Sequence, residues 1–195
     1  MTTTIVLVRH GETDWNREHR FQGHADPPLN DVGRAQALEL AATLAREPFT
    51  RVYASPLRRA WETAEILAAT RNLPVQPHPA LEEVDVGSWS GLTVADVEAR
   101  FPEGYRRWRE SRLAGWEDGE TFEELGLRVV SGVLALAAQN DGATLVAVTH
   151  GGPVRTLQAY VGGLSFASPR SEVGAVANCG VVRIAVRDGE IEPVD

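Results

Sequence analysis

VLVRHGETDWN, residues 6–16, starts as a β-branched apolar run and stops abruptly at Arg9, His10 and Gly11. With Thr4 and Ile5 in front, Thr4 to Val8 reads as a fully buried strand, the kind that sits inside a parallel sheet. Such a strand delivers an arginine and a histidine side by side at its carboxyl end, then turns at a glycine. In open α/β sheets that edge is where ligands bind.

The rest of the chain repeats the pattern. Asn30 caps a helix to about Arg46, expected to bury Ala35, Leu38, Ala42 and Ala45. RVYAS, 51–55, reads as a second strand. Ser55 is expected to cap the next helix, with Pro56 at its first position and Leu57, Ala60, Ala64 and Leu67 inside. A short strand lies around Val75. Thr121 and Glu124 form a capping-box pattern opening a helix with Leu125, Val129, Val133 and Leu136 on one stripe. ATLVAVT, 143–149, is another buried strand, and Gly151-Gly152-Pro153 opens a helix with Val154, Leu157 and Val161 inside. GVVRIAVRDGEIEPV, 180–194, reads as a hairpin turning at Asp188-Gly189. Strands alternating with helices predict an α/β fold: a three-layer α/β/α sandwich on a mostly parallel sheet. Residues 1–195 read as a single domain, with an insertion or lid at about 88–120, where Trp, Arg and Gly replace clear periodicity.

Bulk properties narrow the function. A chain of 195 residues with 43% hydrophobic content is long enough for a real core. A net charge of -8 argues against nucleic acid as partner, though a cationic pocket for a small anion remains compatible with it. The single cysteine, Cys179, excludes an intramolecular disulfide and is expected to be a small core residue. No signal-peptide pattern or apolar span long enough for a bilayer is visible, so no membrane partner is expected and the cytoplasm is the expected compartment. The sequence leaves a homodimer open.

Three strand ends carry polar groups: Arg9-His10-Gly11; Ser55-Pro56 leading to Arg58 and Arg59; and His150-Gly151-Gly152. Each has an ordinary reading alone, as a structural histidine, a solvated helix turn or a tight turn. Gathered at one end of one sheet, they suit a phosphoryl group. Arginine forks pair its oxygens, helix N-termini point N–H groups at it, and a histidine can attack phosphorus in line.

RHGETDWN resembles the signature of the histidine phosphatase superfamily, in its phosphoglycerate-mutase-like branch. RFQG (20–23), SPLRRAWETAE (55–65), LEEVDVGSWSG (81–91), DGETFEE (118–124) and VTHGG (148–152) follow in order, so the resemblance covers nearly the whole chain. It implies a phosphoglycerate-mutase-like fold and a set of roles. His10 is the nucleophile that becomes phosphohistidine. Arg9, Arg59 and His150 bind the transferred group, Arg59 rather than Arg58 because the family arginine directly precedes the alanine. Glu83, rather than Glu82, is the acid and then the base, since it lies four residues before the glycine. Gly11, Glu12, Asn16, Gln22, Gly23 and Gly151 match positions near phosphate or substrate.

Chemistry agrees with these roles. Arg9 and Arg59 disfavour an imidazolium at His10, leaving a nitrogen free to attack. Glu83 must carry its proton into the first step, and a phosphate dianion beside it favours the protonated form. No metal-ligand motif is present, and no cofactor is implied. His19 and His24 read as loop histidines, and His78, between prolines, as exposed. In YRRWRESR, 105–112, Arg106, Arg107, Arg109 and Arg112 suit either a second anionic group of the substrate, with Trp108 against a ring or sugar face, or an amphipathic surface helix.

The resemblance therefore implies a metal-independent phosphomonoester hydrolase acting on a small phosphorylated metabolite such as a sugar phosphate or phosphoglycerate. The alternative is a cofactor-dependent phosphoglycerate mutase, whose family members carry a longer, more basic span between the glutamate and the second histidine. A catalytically silent phospho-ligand-binding module is a third reading, disfavoured because nucleophile, arginines and second histidine are all present.

Overall fold

In the computed structural model, which describes residues 1–111, 115–168 and 172–194, a six-stranded sheet forms the middle layer. Its strands are β1 (Thr3–Arg9), β2 (Arg51–Ala54), β3 (Val75–Pro77), β4 (Thr144–Thr149), β5 (Val181–Arg187) and β6 (Glu190–Pro193), in the order β3-β2-β4-β1-β5-β6. The first four are mutually parallel; β5 joins β1 antiparallel, and β6 pairs with β5 as a hairpin. Asp188 and Gly189 turn that hairpin at φ 52° and 84°, the positive values a two-residue turn needs.

Strand alternation splits the core in two. Val6 and Val8 of β1, with Val146 and Val148 of β4, face α2 (Asp31–Leu44) and α3 (Arg58–Ala69), meeting Ala41, Leu44, Ala60, Ala64 and Leu67. Ile5, Leu7, Leu145 and Ala147 face the other way, towards α6 (Phe122–Gln139) and α7 (Gly151–Val161), where Leu125, Val129, Val133, Val154 and Leu157 wait. Both faces are covered, as a nearly all-apolar central strand requires. A short helix α1 (Asp14–Arg17) follows β1, and α4 (Val94–Arg100) and α5 (Pro102–Ser111) lie in the irregular segment before α6.

Thr121 caps α6 through the expected box: its side chain accepts from Glu124 N–H while Glu124 reaches back to the Thr121 backbone. Asn30 caps α2 through Gly33 N–H. The buried face of α2 differs from expectation: Gly33, Ala37, Ala41 and Leu44 are inside, and Leu38 is 62% exposed. Gly33 sets that rotation, because a Cβ there would lie 2.1 Å from the Glu12 carbonyl oxygen. Ser55 does not cap α3 either. Leu57 occupies the N-cap without a side-chain bond, and Asp26 supplies the acceptor for Arg58 N–H at 2.6 Å from 32 residues upstream. His78 is half-buried, edge-on to Tyr53, rather than exposed. Val161, expected inside, is only partly buried.

Candidate active site

A cavity of about 180 Å³ opens at the carboxyl ends of β1 and β4, lined by Arg9, His10, Asn16, Gln22, Gly23, Arg59, Glu83 and Gly151. Its outer wall holds Phe21, Trp108, Trp116 and Phe122, together with Arg20 and Arg155. Eight of the eleven residues singled out by the sequence therefore meet at one surface.

His10 is 2% exposed, and its Nδ1 lies 2.6 Å from the Gly11 carbonyl oxygen. A carbonyl only accepts, so Nδ1 donates, and in the neutral ring Nε2 carries the lone pair. Burial, then Arg59, then Arg9, holds the His10 pKa well below that of an ordinary histidine, so the ring is neutral at pH 7. His150 packs edge-on to it with centroids 5.1 Å apart, and burial followed by Arg59 lowers its pKa as well. His150 Nε2 lies 2.7 Å from Ser55 Oγ, and Ser55 Oγ accepts from Leu57 N–H. The ring is fully buried behind His10 rather than on the cavity wall.

Arg59 comes from the first turn of α3 and is fully buried. It donates through Nη1 to Ala25 O at 2.7 Å and through Nη2 to Gly23 O at 2.9 Å. Desolvation pushes its pKa down to about 10, with Glu83 the main opposing influence, so it stays cationic at neutral pH. Arg58, the neighbour passed over, is exposed. Arg59 thus staples the 20–26 loop to α3 while presenting charge to the cavity. Gly23 makes the loop's turn with φ 51°, a conformation that disfavours any side chain.

Glu83 sits at the N-terminus of α7, where Gly152 N–H donates to its Oε1 at 3.0 Å. A Cβ on Gly152 would lie 2.2 Å from that oxygen, so glycine is what admits the carboxylate. The Glu83 carbonyl is clamped from two sides, by His24 Nε2 at 2.8 Å and Arg128 Nη2 at 3.2 Å. Arg128, from α6, pairs with Glu120 at 2.7 Å and also donates to the Ala80 and Glu82 carbonyls, which fixes the segment carrying Glu83.

Some expectations change. Gly11 and Glu12 do not line the cavity. Gly11 N–H donates to Thr63 Oγ1, and a Cβ there would lie 2.5 Å from Gly33 O, so this glycine serves the approach of α2 rather than of a phosphoryl group. The Glu12 carboxylate accepts from Asn30 Nδ2, tying the turn to the same helix. Cys179 is half-buried at the site's edge instead of in the core, its thiol pushed up to about 11 by burial. On α5, Arg106 pairs with Glu103 and Glu110 on the exposed face, while Trp108 turns inward. Arg107 and Arg109 are likewise absent from the cavity wall, and Arg112 lies outside the described residues. Sequence reasoning did not single out Arg155, Trp116 or Phe122. Arg155 stands four residues after Gly151, one turn into α7, the only positional signal available for it.

This edge-of-sheet cluster has known counterparts. Residues 5–194 match the family described as "Histidine phosphatase superfamily (branch 1)", and the chain belongs to that family. Among its relatives, Phosphoserine phosphatase 1 of Hydrogenobacter thermophilus is 36% identical over 154 residues, covering 78% of this chain and 73% of that protein. The Metal-independent phosphoserine phosphatase of Arabidopsis thaliana is 36% identical over 190 residues, covering 95% and 77%. The solved structure of Bacillus stearothermophilus YhfR superposes with a TM-score of 0.90 at 31% identity, over 98% of this chain and 95% of that one. The phosphoglycerate-mutase-like fold is thereby established. No helix among the described residues is long and apolar enough to cross a membrane.

Proposed function

We propose that this protein hydrolyses a small phosphomonoester through a phosphohistidine at His10, without a metal. The observation that carries this reading is the His10 ring itself: buried, neutral, with Nδ1–H donated to Gly11 O and therefore an unprotonated Nε2 beside two arginines. Nε2 attacks phosphorus in line and displaces the substrate oxygen. Arg9 and Arg59 take the charge on the phosphoryl oxygens, with His150 behind them and Asn16, Gln22, Gly23 and Gly151 around the group. Glu83 protonates the departing oxygen. In the second half it takes a proton from the water that attacks phosphohistidine, releasing phosphate and restoring the ring.

Hydrolysis is favoured over isomerisation by α5. A mutase must hold the phosphoglycerate while the phosphoryl group returns to it, yet Arg106, Arg107 and Arg109 are absent from the cavity wall. Residues 88–120 act as a lid segment, offering Trp108 and Trp116 instead. The relatives named as phosphoserine phosphatases support a small phosphorylated metabolite as substrate.

Phosphate release from an aryl phosphate, from phosphoserine and from 3-phosphoglycerate, with a chelator present, tests the reading. Release is expected to resist the chelator and to fall on the order of 10⁴-fold or more in His10→Ala. Release that persists in His10→Ala, or that the chelator stops, overturns it. Isomerisation of 3-phosphoglycerate primed by a bisphosphate, without net release, would move the protein to the mutase reading.

A further inference from the structure

We infer that Asn178 is a positioning residue that fixes the amide of Asn16 with its NH₂ turned towards the phosphoryl site. This rests on the phosphoryl-binding reading above. Asn178 lies in the segment entering β5, far from the signature in sequence and half-buried beside it in space. That segment clasps the end of β1: Arg9 Nη1 donates to Val176 O at 2.7 Å, Cys179 N–H to Arg9 O at 3.0 Å, and Arg9 N–H to Gly180 O at 3.0 Å. Within the clasp, Asn178 Nδ2 donates twice, to His10 O at 3.0 Å and to Asn16 Oδ1 at 3.3 Å.

The second bond decides a chemical question. Asn16 Oδ1 already accepts from Thr13 N–H and Thr13 Oγ1, both at 3.1 Å. Two of the donors on that oxygen, Thr13 N–H and the Asn178 NH₂ held by His10 O, cannot accept, so it cannot be exchanged for the NH₂ without facing donor to donor. The other end of the amide is a donor by elimination, and Asn16 lines the cavity. An anion there meets N–H rather than a lone pair. Asn178 is the donor supplied from outside the α1 cap, and it ties that choice to the carbonyl of His10.

The test is a double-mutant cycle on oxyanion affinity. Orthovanadate is the probe, read both as a competitive inhibitor of aryl phosphate hydrolysis and directly by the fluorescence of the cavity-wall tryptophans. Asn178→Ala is expected to weaken vanadate about 5- to 10-fold, the worth of one oriented hydrogen bond. Asn178→Asp is expected to weaken it more, on the order of 50-fold, because a carboxylate repels Asn16 Oδ1 and competes with Thr13 N–H for the orientation of the amide. In an Asn16→Ala background the Asn178→Ala loss should shrink to less than about twofold, since the group it acts through is gone, and the Asn178→Asp loss should shrink to the repulsion of the added charge alone. Additive losses would overturn the inference and place the action of Asn178 on His10 alone; so would full vanadate affinity in both variants. If N178D fails to fold, by circular dichroism, the cycle with N178A still decides. A wild-type protein that binds no vanadate would instead break the phosphoryl-site reading itself.

Discussion

The inner and outer halves of the cavity are built on opposite principles. At the inner end, His10, Arg59 and His150 are almost wholly buried, and the polar bonds of His10 and Arg59 run to backbone carbonyls, those of His150 to Ser55. At the outer end, aromatic rings pack edge to face: Phe21 meets Trp89 at 5.1 Å and Trp108 at 5.3 Å, and Trp116 meets Phe122 at 5.7 Å. On α5, Arg106 pairs with Glu103 and Glu110, Arg107 lies 3.9 Å from Glu117, and Arg109 donates to the Tyr105 hydroxyl. The contrast teaches where discrimination resides. On the proposed reading the inner end recognises a tetrahedral oxyanion by fixed donors, while the rim offers aromatic area beside two arginines, Arg20 and Arg155, and none of the described α5 arginines.

The sharpest way to break this division is to remove Glu83, the proposed proton donor at the boundary. Glu83→Gln should cut turnover of alkyl phosphates about 10²–10⁴-fold and that of aryl phosphates, whose leaving oxygen needs no proton, by less than about tenfold. Steady-state kinetics on paired substrates measures it; equal losses on both would remove Glu83 from the acid role. Gly152→Ala should reproduce part of the same pattern, since its Cβ would strike Glu83 Oε1.

Trp108→Ala comes next. It should raise KM for the preferred substrate about 5- to 30-fold with kcat nearly intact, because the ring supplies uniform binding. A fall in kcat with unchanged KM would mean the rim takes part in the chemistry.

Stability against pH separates the ends in a different way. His10 and His150 are held neutral by burial and would titrate near 6.5 once unfolded. Below that pH the unfolded chain binds more protons than the folded one, so stability is complete above about 6.5 and falls as pH drops through and below it. The slope is up to about 1.4 kcal/mol per pH unit for each histidine. Thermal melts from pH 8 to 5 should therefore show a decline that is flatter in a His10→Gln/His150→Gln variant. Parallel declines in both would deny the burial effect.

The smallest effect is expected from Arg106→Ala: less than a twofold change in KM for any substrate, because its partners are Glu103 and Glu110 on the exposed face. A larger rise would give the rim a charge-reading role after all.

The inner end was legible in the sequence because a strand has only one carboxyl end. Arg9, His10 and His150 could be assigned to the sheet edge by following β-branched runs to their last residue, and the family motifs then separated Arg59 from Arg58 and Glu83 from Glu82. The rim was not legible for a physical reason. Trp116 reaches the cavity from a segment whose apolar residues follow neither a 2- nor a 3.6-residue period, so no face could be read off, while Phe122 continues the buried stripe of α6 and reads as core. The rotation of α2 escaped too, since it is set by a backbone contact between Gly33 and Glu12, which leaves no hydrophobic pattern. Asn178 has no local signal at all; its partners are 168 and 162 residues away.

The strand order carries a consequence for biosynthesis. β1 lies in the middle of the sheet between β4 and β5, which begin at Thr144 and Val181. The segment bearing His10 leaves the ribosome well before either of its neighbours is made. Until then its apolar run has two open edges and no sheet to join. A nascent chain of this protein must keep that run from pairing elsewhere until β4 and β5 have been made. The clasp over the end of β1 waits on Asn178, 168 residues after His10.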